Sequence, residues 1–354
     1  MIDYKTLFHS EPFDKKIKKN EKWFLNNQKK LSIYHSENSI FYNKLSKSLF
    51  KPLKKIKKIY ELPYIHVSAF KNFEIKTNKI KKNIKVFSSS GTSQKNKSRI
   101  FLDPKTSILQ IKALEKIFQD VIDKKTSIFF LEKKNFFSSK ENFSAKGAAI
   151  KGFSQLAKKS YFLKDSNNKL NISKLKKYIE KSPKKKFVIF GFTSQIWFDL
   201  ISTLKKKKIY FQKNCGVLIH GGGWKKLEKL KVKNTEFKKN AKKFLGVKKV
   251  FNYYGMIEQT GSVFLECERG FFHCSIFSDI LIRNANLNPC ELNEVGLIQS
   301  LSLLPTSYPG HNILTEDMGK IIGNNDCKCG KGGKYFSIIG RVPNTELRGC
   351  SDAT

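Results

Sequence analysis

The sequence predicts an α/β protein, with a mostly parallel sheet across its middle and an antiparallel sheet or distorted barrel after it. Three observations carry this. Between residues 128 and 254, short apolar runs alternate with segments of helical spacing, the order that builds parallel strands joined by crossover helices. Glycine turns follow two of those runs, at Gly221-Gly222-Gly223 and at Gly255. Ligands of such sheets bind beyond the carboxyl ends of strands, where these turns fall. After residue 260 the texture changes to short strands separated by turns.

The elements follow in order. Residues 1 to about 60 are polar and helical, with lysine clusters near 15–20 and 51–58. Val86-Phe87 and Ile100-Phe101 are strand-like pairs that bracket a polar loop. Ser107–Ile122 carries apolar residues at 108, 111, 114, 117, 118, 121 and 122, which is helical spacing. Strands are expected at Ile128–Leu131, Phe187–Phe192, Val217–Ile219 and Val250–Tyr253. Helices are expected from Gly147, at Ile172–Ile179, Ile196–Leu204 and Phe237–Leu245. Val263–Glu266, Ile276–Arg283, Gly296–Leu304, Met318–Ile322 and Tyr335–Ile339 supply the later strands.

The 354 residues are 40% hydrophobic, enough for one large core or two packed ones. A net charge of +40 points first to nucleic acid or an anionic membrane surface. Yet of 69 basic residues only Arg99, Arg269, Arg283, Arg341 and Arg348 are arginine. The lysines are spread along the whole chain, and abundant Lys, Asn, Ile and Phe fit AT-rich codon usage. Nucleic-acid sites favour the bidentate fork of arginine, so the charge reads as a solvated surface with no specific nucleic-acid partner. The apolar runs are strand-sized and none has the length of a membrane span. The N-terminus lacks a signal-peptide core, and seven cysteines form no evenly spaced disulfide framework, so a cytoplasmic setting is expected.

Ser88-Ser89-Ser90-Gly91-Thr92-Ser93-Gln94-Lys95 offers hydroxyls, a glycine and a cation between two strands. That is the chemistry of a loop that wraps phosphate, although it is no Walker A sequence. Tyr254-Gly255-Met256-Ile257-Glu258 joins a ring that can stack on a base to a carboxylate that can hold Mg²⁺. Thr315-Glu316-Asp317 puts a carboxylate where it can grip ribose hydroxyls, and Gly340-Arg341 supplies a guanidinium for ribose or phosphate. Each piece alone reads first as a turn or a surface feature.

In this order the pieces resemble the successive motifs of the ANL superfamily of adenylate-forming enzymes. The chain is most similar to the acyl-protein synthetases, the long-chain fatty-acid–protein ligases. His220-Gly221-Gly222-Gly223-Trp224-Lys225, Ser307-Tyr308-Pro309-Gly310-His311, Thr315-Glu316-Asp317 and Glu346-Leu347-Arg348-Gly349-Cys350-Ser351-Asp352 carry the likeness. The resemblance implies an ANL-type large N-terminal domain that lacks most or all of the C-terminal lid, since the sequence stops at Thr354. It divides the chain into an N-terminal segment of the same domain at 1–85 and an ATP-binding α/β core at 86–260. An antiparallel sheet or barrel at 261–340 and a tail at 341–354 with Cys350 follow.

The implied roles are these. Ser89, Ser90, Gly91, Thr92 and Ser93 cradle the β- and γ-phosphates of ATP, with Lys95 or Lys97 as counter-charge. Gly222 and Gly223 border adenine, Tyr254 stacks on it, and Gly255 makes the turn. Glu258 takes Mg²⁺, Asp317 holds the ribose and Arg341 contacts ribose or phosphate. A fatty carboxylate attacks the α-phosphorus, and Cys350, beside Arg348, takes the acyl group before a partner acyl reductase receives it. The sequence departs from the pattern at Gln94 (a usual glycine), Ile257 (a usual threonine) and Val342-Pro343-Asn344 (a usual aspartate after Gly-Arg). Adenylation with coenzyme A as acceptor is the first alternative, and a basic binding protein with a degenerate site is the second.

Cys327-Lys328-Cys329-Gly330 resembles a metal knuckle, and Cys267 with His273 or Cys274 would complete a four-ligand zinc site. The competing reading is a set of incidental thiols. His220 and His311 read as structural. The 30 phenylalanines line a long acyl tunnel or fill the core, and the core is the simpler reading. Chain length of the acid and oligomeric state are not legible.

Overall fold

The structure is a computed structural model that describes residues 2–78, 84–89, 97–122, 126–133, 136, 144–181, 184–224 and 230–342. The N-terminal helices are α1 (Tyr4–His9), α2 (Lys15–Lys19), α3 (Glu21–Asn38) and α4 (Ile40–Leu49). Then come β1 (Ile65–His66), α5 (Ala69–Asn72), β2 (Lys85–Ser88), β3 (Arg99–Leu102) and α6 (Pro104–Phe118). The alternating region holds β4 (Ser127–Lys133), α7 (Ala145–Leu156), β5 (Lys159–Lys164), α8 (Ser173–Lys181) and β6 (Phe187–Phe192). It continues with α9 (Thr193–Gln195), α10 (Ser202–Lys206), β7 (Gly216–Gly221), α11 (Asn234–Leu245) and β8 (Lys249–Tyr254). The last strands are β9 (Phe264–Glu266), β10 (Phe272–His273), β11 (Ser278–Arg283), β12 (Gly296–Ser302), β13 (Asn312–Asn324) and β14 (Lys334–Arg341).

The described residues form two compact units. The unit built from residues 118–254 carries a parallel sheet in the order β5-β4-β6-β7-β8. The inner strands β6 and β7 are buried along their whole length because both faces are covered, whereas the outer strands β5 and β8 keep lysines and partly exposed residues. On one face Phe129, Phe187, Ile189 and Leu218 pack with Leu175, Leu200 and Phe237 from the helices. On the other, Phe130 and Phe190 lie 5.6 Å apart between ring centroids, and Phe153 of α7 sits 4.4 Å from Phe190. Phe129, Phe130, Phe153, Phe187 and Phe190 are buried in this core, while Phe162, Phe198 and Phe251 are partly exposed.

One expected helix differs in detail. Residues 196–204 do not run as a plain α-helix, because Ile196–Ile201 widens into a π-helical stretch between α9 and α10. Ser202 explains it: both its backbone N–H and its hydroxyl, the latter at 2.8 Å, donate to the carbonyl of Trp197, five residues back.

The other unit combines residues 2–89, 97–117 and 255–342. Its main sheet runs β11-β12-β13-β14-β10-β9 with antiparallel neighbours. β1 adds parallel pairing to β13, Ile65 facing Ile313. β2 and β3 form a separate hairpin, Ser88 opposite Arg99. The N-terminal helices are tied to the sheet by buried polar side chains. Gln28 Nε2 donates to the carbonyl of Ser302 at 2.9 Å, and His35 Nε2 meets that of Pro305 at 3.1 Å. His311 stacks on His35 at 4.9 Å and its Nε2 reaches Ser32 Oγ at 3.0 Å. These bonds pair one nitrogen of each imidazole and the Gln28 amide nitrogen, which offsets part of the cost of burying them.

Candidate functional site

The polar corner of the antiparallel unit is built on β13 and β14. Register sets Asp317 opposite Arg341, and Arg341 Nε donates to Asp317 Oδ1 at 3.0 Å. Glu316 Oε2 lies 3.9 Å from the same guanidinium. Thr315 Oγ1 accepts from the Asp317 N–H at 3.1 Å and donates to the carbonyl of Ile298 at 2.7 Å. This fixes the backbone from which the Asp317 carboxylate projects. The Asp317 and Arg341 side chains are about one-fifth and one-third exposed, so a ligand can still reach them.

Glu258 occupies a short turn, Ile257–Gln259, and is buried. Burial pushes its carboxyl above the ordinary range, while Arg341 pulls it down and Asp317 pushes it up. A buried carboxylate so disfavoured in its charged form gains from a divalent cation at its oxygens, so the residue fits Mg²⁺. The turn is fastened from below. Tyr308 Oη donates to the Glu258 carbonyl at 2.8 Å, and Gln259 Nε2 donates to the carbonyls of Ser300 and Gly310 at 3.0 and 2.8 Å. Sequence reasoning assigned no role to Gln259 or Tyr308. The only signal was the Ser307-Tyr308-Pro309-Gly310-His311 run, which carried no positional information.

At the neck of the β2–β3 hairpin, Ser89 Oγ accepts from the Ser98 N–H at 2.9 Å, and the Ser89 N–H donates to the Ser98 carbonyl at 3.0 Å. Ser90, Gly91, Thr92, Ser93 and Lys95 lie outside the described residues, as does Cys350.

In the parallel unit, Gly222 and Gly223 follow β7 with φ of 80° and 63°, the left-handed turn that the Gly-Gly pair permits. Tyr254 ends β8, half-buried, and Gly255 follows it in the chain. His220 is fully buried and its Nδ1 lies 2.9 Å from Thr193 Oγ1. That hydroxyl donates to the Gly221 carbonyl at 3.0 Å, so its proton is committed and it must accept from His220 Nδ1–H. Burial, with Lys238 adding to it, pushes the His220 imidazole down to about 3. It is a neutral structural residue that braces the glycine turn.

The cysteines separate into two kinds. Cys267, His273, Cys327 and Cys329 come together, with their ligand atoms all within 4.8 Å of one another. Cys274 is not part of this group. It follows His273 along an extended chain and points the other way, toward Asp279.

The fold defines the class of the protein. Its solved neighbours include a 2-hydroxyisobutyryl-CoA ligase captured in an open conformation with 2-HIB-AMP and CoA. That structure superposes with a TM-score of 0.71 at 14% identity, covering 92% of this chain and 70% of that chain. A luciferase-like enzyme from the mealworm Zophobas morio gives 0.50 at 16% identity, covering 83% and 62%. A long-chain-fatty-acid-CoA ligase from Archaeoglobus fulgidus gives 0.50 at 13%, covering 73% and 51%. The architecture is therefore that of the ANL-type adenylate-forming ligases. A search of curated proteins finds no match to the sequence. The sequence matches the family described as acyl-protein synthetase, LuxE, over residues 2–354, and the chain belongs to that family. Family and fold together place it among the AMP-forming ligases.

Proposed function

We propose that the chain activates a fatty carboxylic acid with ATP and passes the acyl group to the thiol of Cys350, from which a partner acyl reductase takes it. The match to the acyl-protein synthetase family over residues 2–354, which takes in Glu258, Asp317, Arg341 and Cys350, carries this reading.

In the first step a carboxylate oxygen bonds to the α-phosphorus of ATP and the bond to pyrophosphate breaks, leaving acyl-AMP. Asp317 accepts hydrogen bonds from the ribose hydroxyls, and Arg341, paired with Asp317, contacts ribose or phosphate. Tyr254 stacks on adenine, which Gly222 and Gly223 border. Ser89, Ser90, Gly91, Thr92 and Ser93, with Lys95, hold the departing phosphates. Glu258 would hold Mg²⁺, which neutralises phosphate charge when bound. Catalysis on this account is positioning and charge neutralisation. In the second step the Cys350 thiolate bonds to the acyl carbon and AMP leaves, the thiol proton passing to solvent. Arg348 beside Cys350 favours the thiolate.

An ATP–pyrophosphate exchange screen over fatty and aryl acids tests the first step. Exchange that depends on a fatty acid supports the proposal. Exchange with aryl acids alone contradicts the substrate class, and no exchange with any acid contradicts adenylation.

A further inference from the structure

We propose that Cys267, His273, Cys327 and Cys329 bind a structural zinc ion that clips the β9–β10 turn to the β13–β14 loop. The residues come from two places about sixty positions apart in the chain. Cys267 follows β9 and His273 ends β10, in a hairpin with Leu265 opposite His273. β10 pairs in turn with β14, His273 facing Tyr335, which brings the loop holding Cys327 and Cys329 alongside.

The donor geometry suits a tetrahedral ion. Zinc–sulfur and zinc–nitrogen bonds of about 2.3 and 2.0 Å put neighbouring ligand atoms roughly 3.5–3.8 Å apart. His273 Nε2 stands 3.3 Å from Cys329 Sγ, and no pair among the four donor atoms exceeds 4.8 Å. Closing the set needs side-chain shifts of about 1 Å. None of the three cysteines is in a disulfide. A buried cysteine is often just a small apolar residue. That reading leaves unexplained why an imidazole nitrogen aims into the midst of three sulfurs.

The two cysteine turns also share one design. Each reads Cys-x-x-Gly, Cys267 to Gly270 and Cys327 to Gly330. In each the glycine N–H donates to the cysteine carbonyl, at 2.9 and 3.0 Å, and the glycine has a φ of 86° or 84°. Two similar turns thus present sulfur to one centre. The set is three soft thiolates and an imidazole without a carboxylate, the donor chemistry of zinc. Three thiolates on Zn²⁺ leave one net negative charge; Arg269 and Lys328 lie in the two turns and Lys331 just after the second, with Glu268 and Asp326 as the neighbouring acids. The walls are aromatic, Tyr335 stacking on His273 at 5.5 Å and Phe13 meeting its edge at 6.2 Å. With four protein ligands and such walls the ion has no open position, so its role is structural.

Metal analysis of the full-length chain, purified under reducing conditions without added chelator, tests this. The expected result is one zinc per chain, lost in Cys267→Ser and in Cys327→Ser. His273→Cys, which converts the set to four thiolates, is expected to keep it. Co²⁺ put in place of zinc should give the intense visible bands of a tetrahedral thiolate site. If a serine variant fails to fold, counting reactive thiols in the wild-type chain before and after chelation keeps the question open to refutation. Three further thiols must become reactive when zinc leaves. Wild-type protein without zinc that also fails to take up Co²⁺, or zinc retained by folded Cys267→Ser and Cys327→Ser chains, overturns the proposal.

Discussion

Arg341 Nε donates to Asp317 Oδ1 across a register pair of β13 and β14, at 3.0 Å, and Asp317 is tethered by Thr315 as well. The guanidinium is thereby held in a fixed place on the strand pair, and it is partly exposed. Asp317→Asn is expected to raise the KM for ATP at least about tenfold with little change in thermal midpoint, because the pair is partly exposed and an exposed pair contributes about 0–1 kcal/mol. Arg341→Lys should do the same, since a point charge does not replace a fork. ATP-dependence of pyrophosphate exchange, set beside a melting curve, checks both.

Glu258 gives a sharper separation of activity from stability. Its carboxylate is buried and pushed up by burial, so the charged form costs the apo fold stability. Glu258→Gln should leave the melting temperature unchanged or higher while lowering the exchange rate by about a hundredfold or more, the usual scale for losing an electrostatic group at a reacting centre. A variant that lost stability and activity together would mark Glu258 as structural.

Gly310 lies where a side chain cannot. A Cβ there would enter the Tyr308 ring and come within 2.8 Å of the Glu258 carbonyl oxygen. Gly310→Ala should destabilise the chain by about 1–3 kcal/mol, the ordinary cost of overpacking, and disturb the Glu258 turn. Urea denaturation measures the first effect and exchange activity the second.

Acid should unfold the protein through its buried imidazoles. His220 is pushed down to about 3 and His35 to about 4, each mainly by burial. In the unfolded chain both return to an ordinary value near 6.5. The unfolded state then binds more protons below pH 6.5. Stability is full above that pH and falls as pH drops toward 3. For His220 the loss at pH 5 relative to pH 7 is about 2 kcal/mol, at roughly 1.4 kcal/mol per unit of pH below 6.5. Melting temperature against pH should show this fall, and His220→Gln should make it shallower.

Much of this architecture is legible in the sequence, for a definite reason. A parallel strand covered on both faces must be a continuous apolar run, and Phe187–Phe192 and Val217–Ile219 are such runs. β13 is harder to see. Only Met318–Ile322 reads as a strand, while the element spans Asn312–Asn324, because Asn312, Glu316 and Asp317 interrupt the apolar pattern. Of these, Glu316 and Asp317 stand at the candidate site beside Arg341. β1, with two residues paired to β13, has no local signal at all. The π-helical widening at Ile196–Ile201 likewise depends on one serine reaching back five residues. The cysteine spacing suggested a metal-like set and left His273 and Cys274 as rivals. Only the position of the strand settles which of two adjacent residues faces Cys329.

The proposal that the acyl group passes through Cys350 is tested most directly by labelling. Full-length wild-type chain and Cys350→Ser are each incubated with radiolabelled fatty acid, ATP and Mg²⁺, and protein-bound label is measured before and after neutral hydroxylamine. The account predicts a hydroxylamine-labile acyl-protein in the wild type, and in Cys350→Ser its loss together with undiminished acid-dependent pyrophosphate exchange. Equal acyl-protein in both would contradict it.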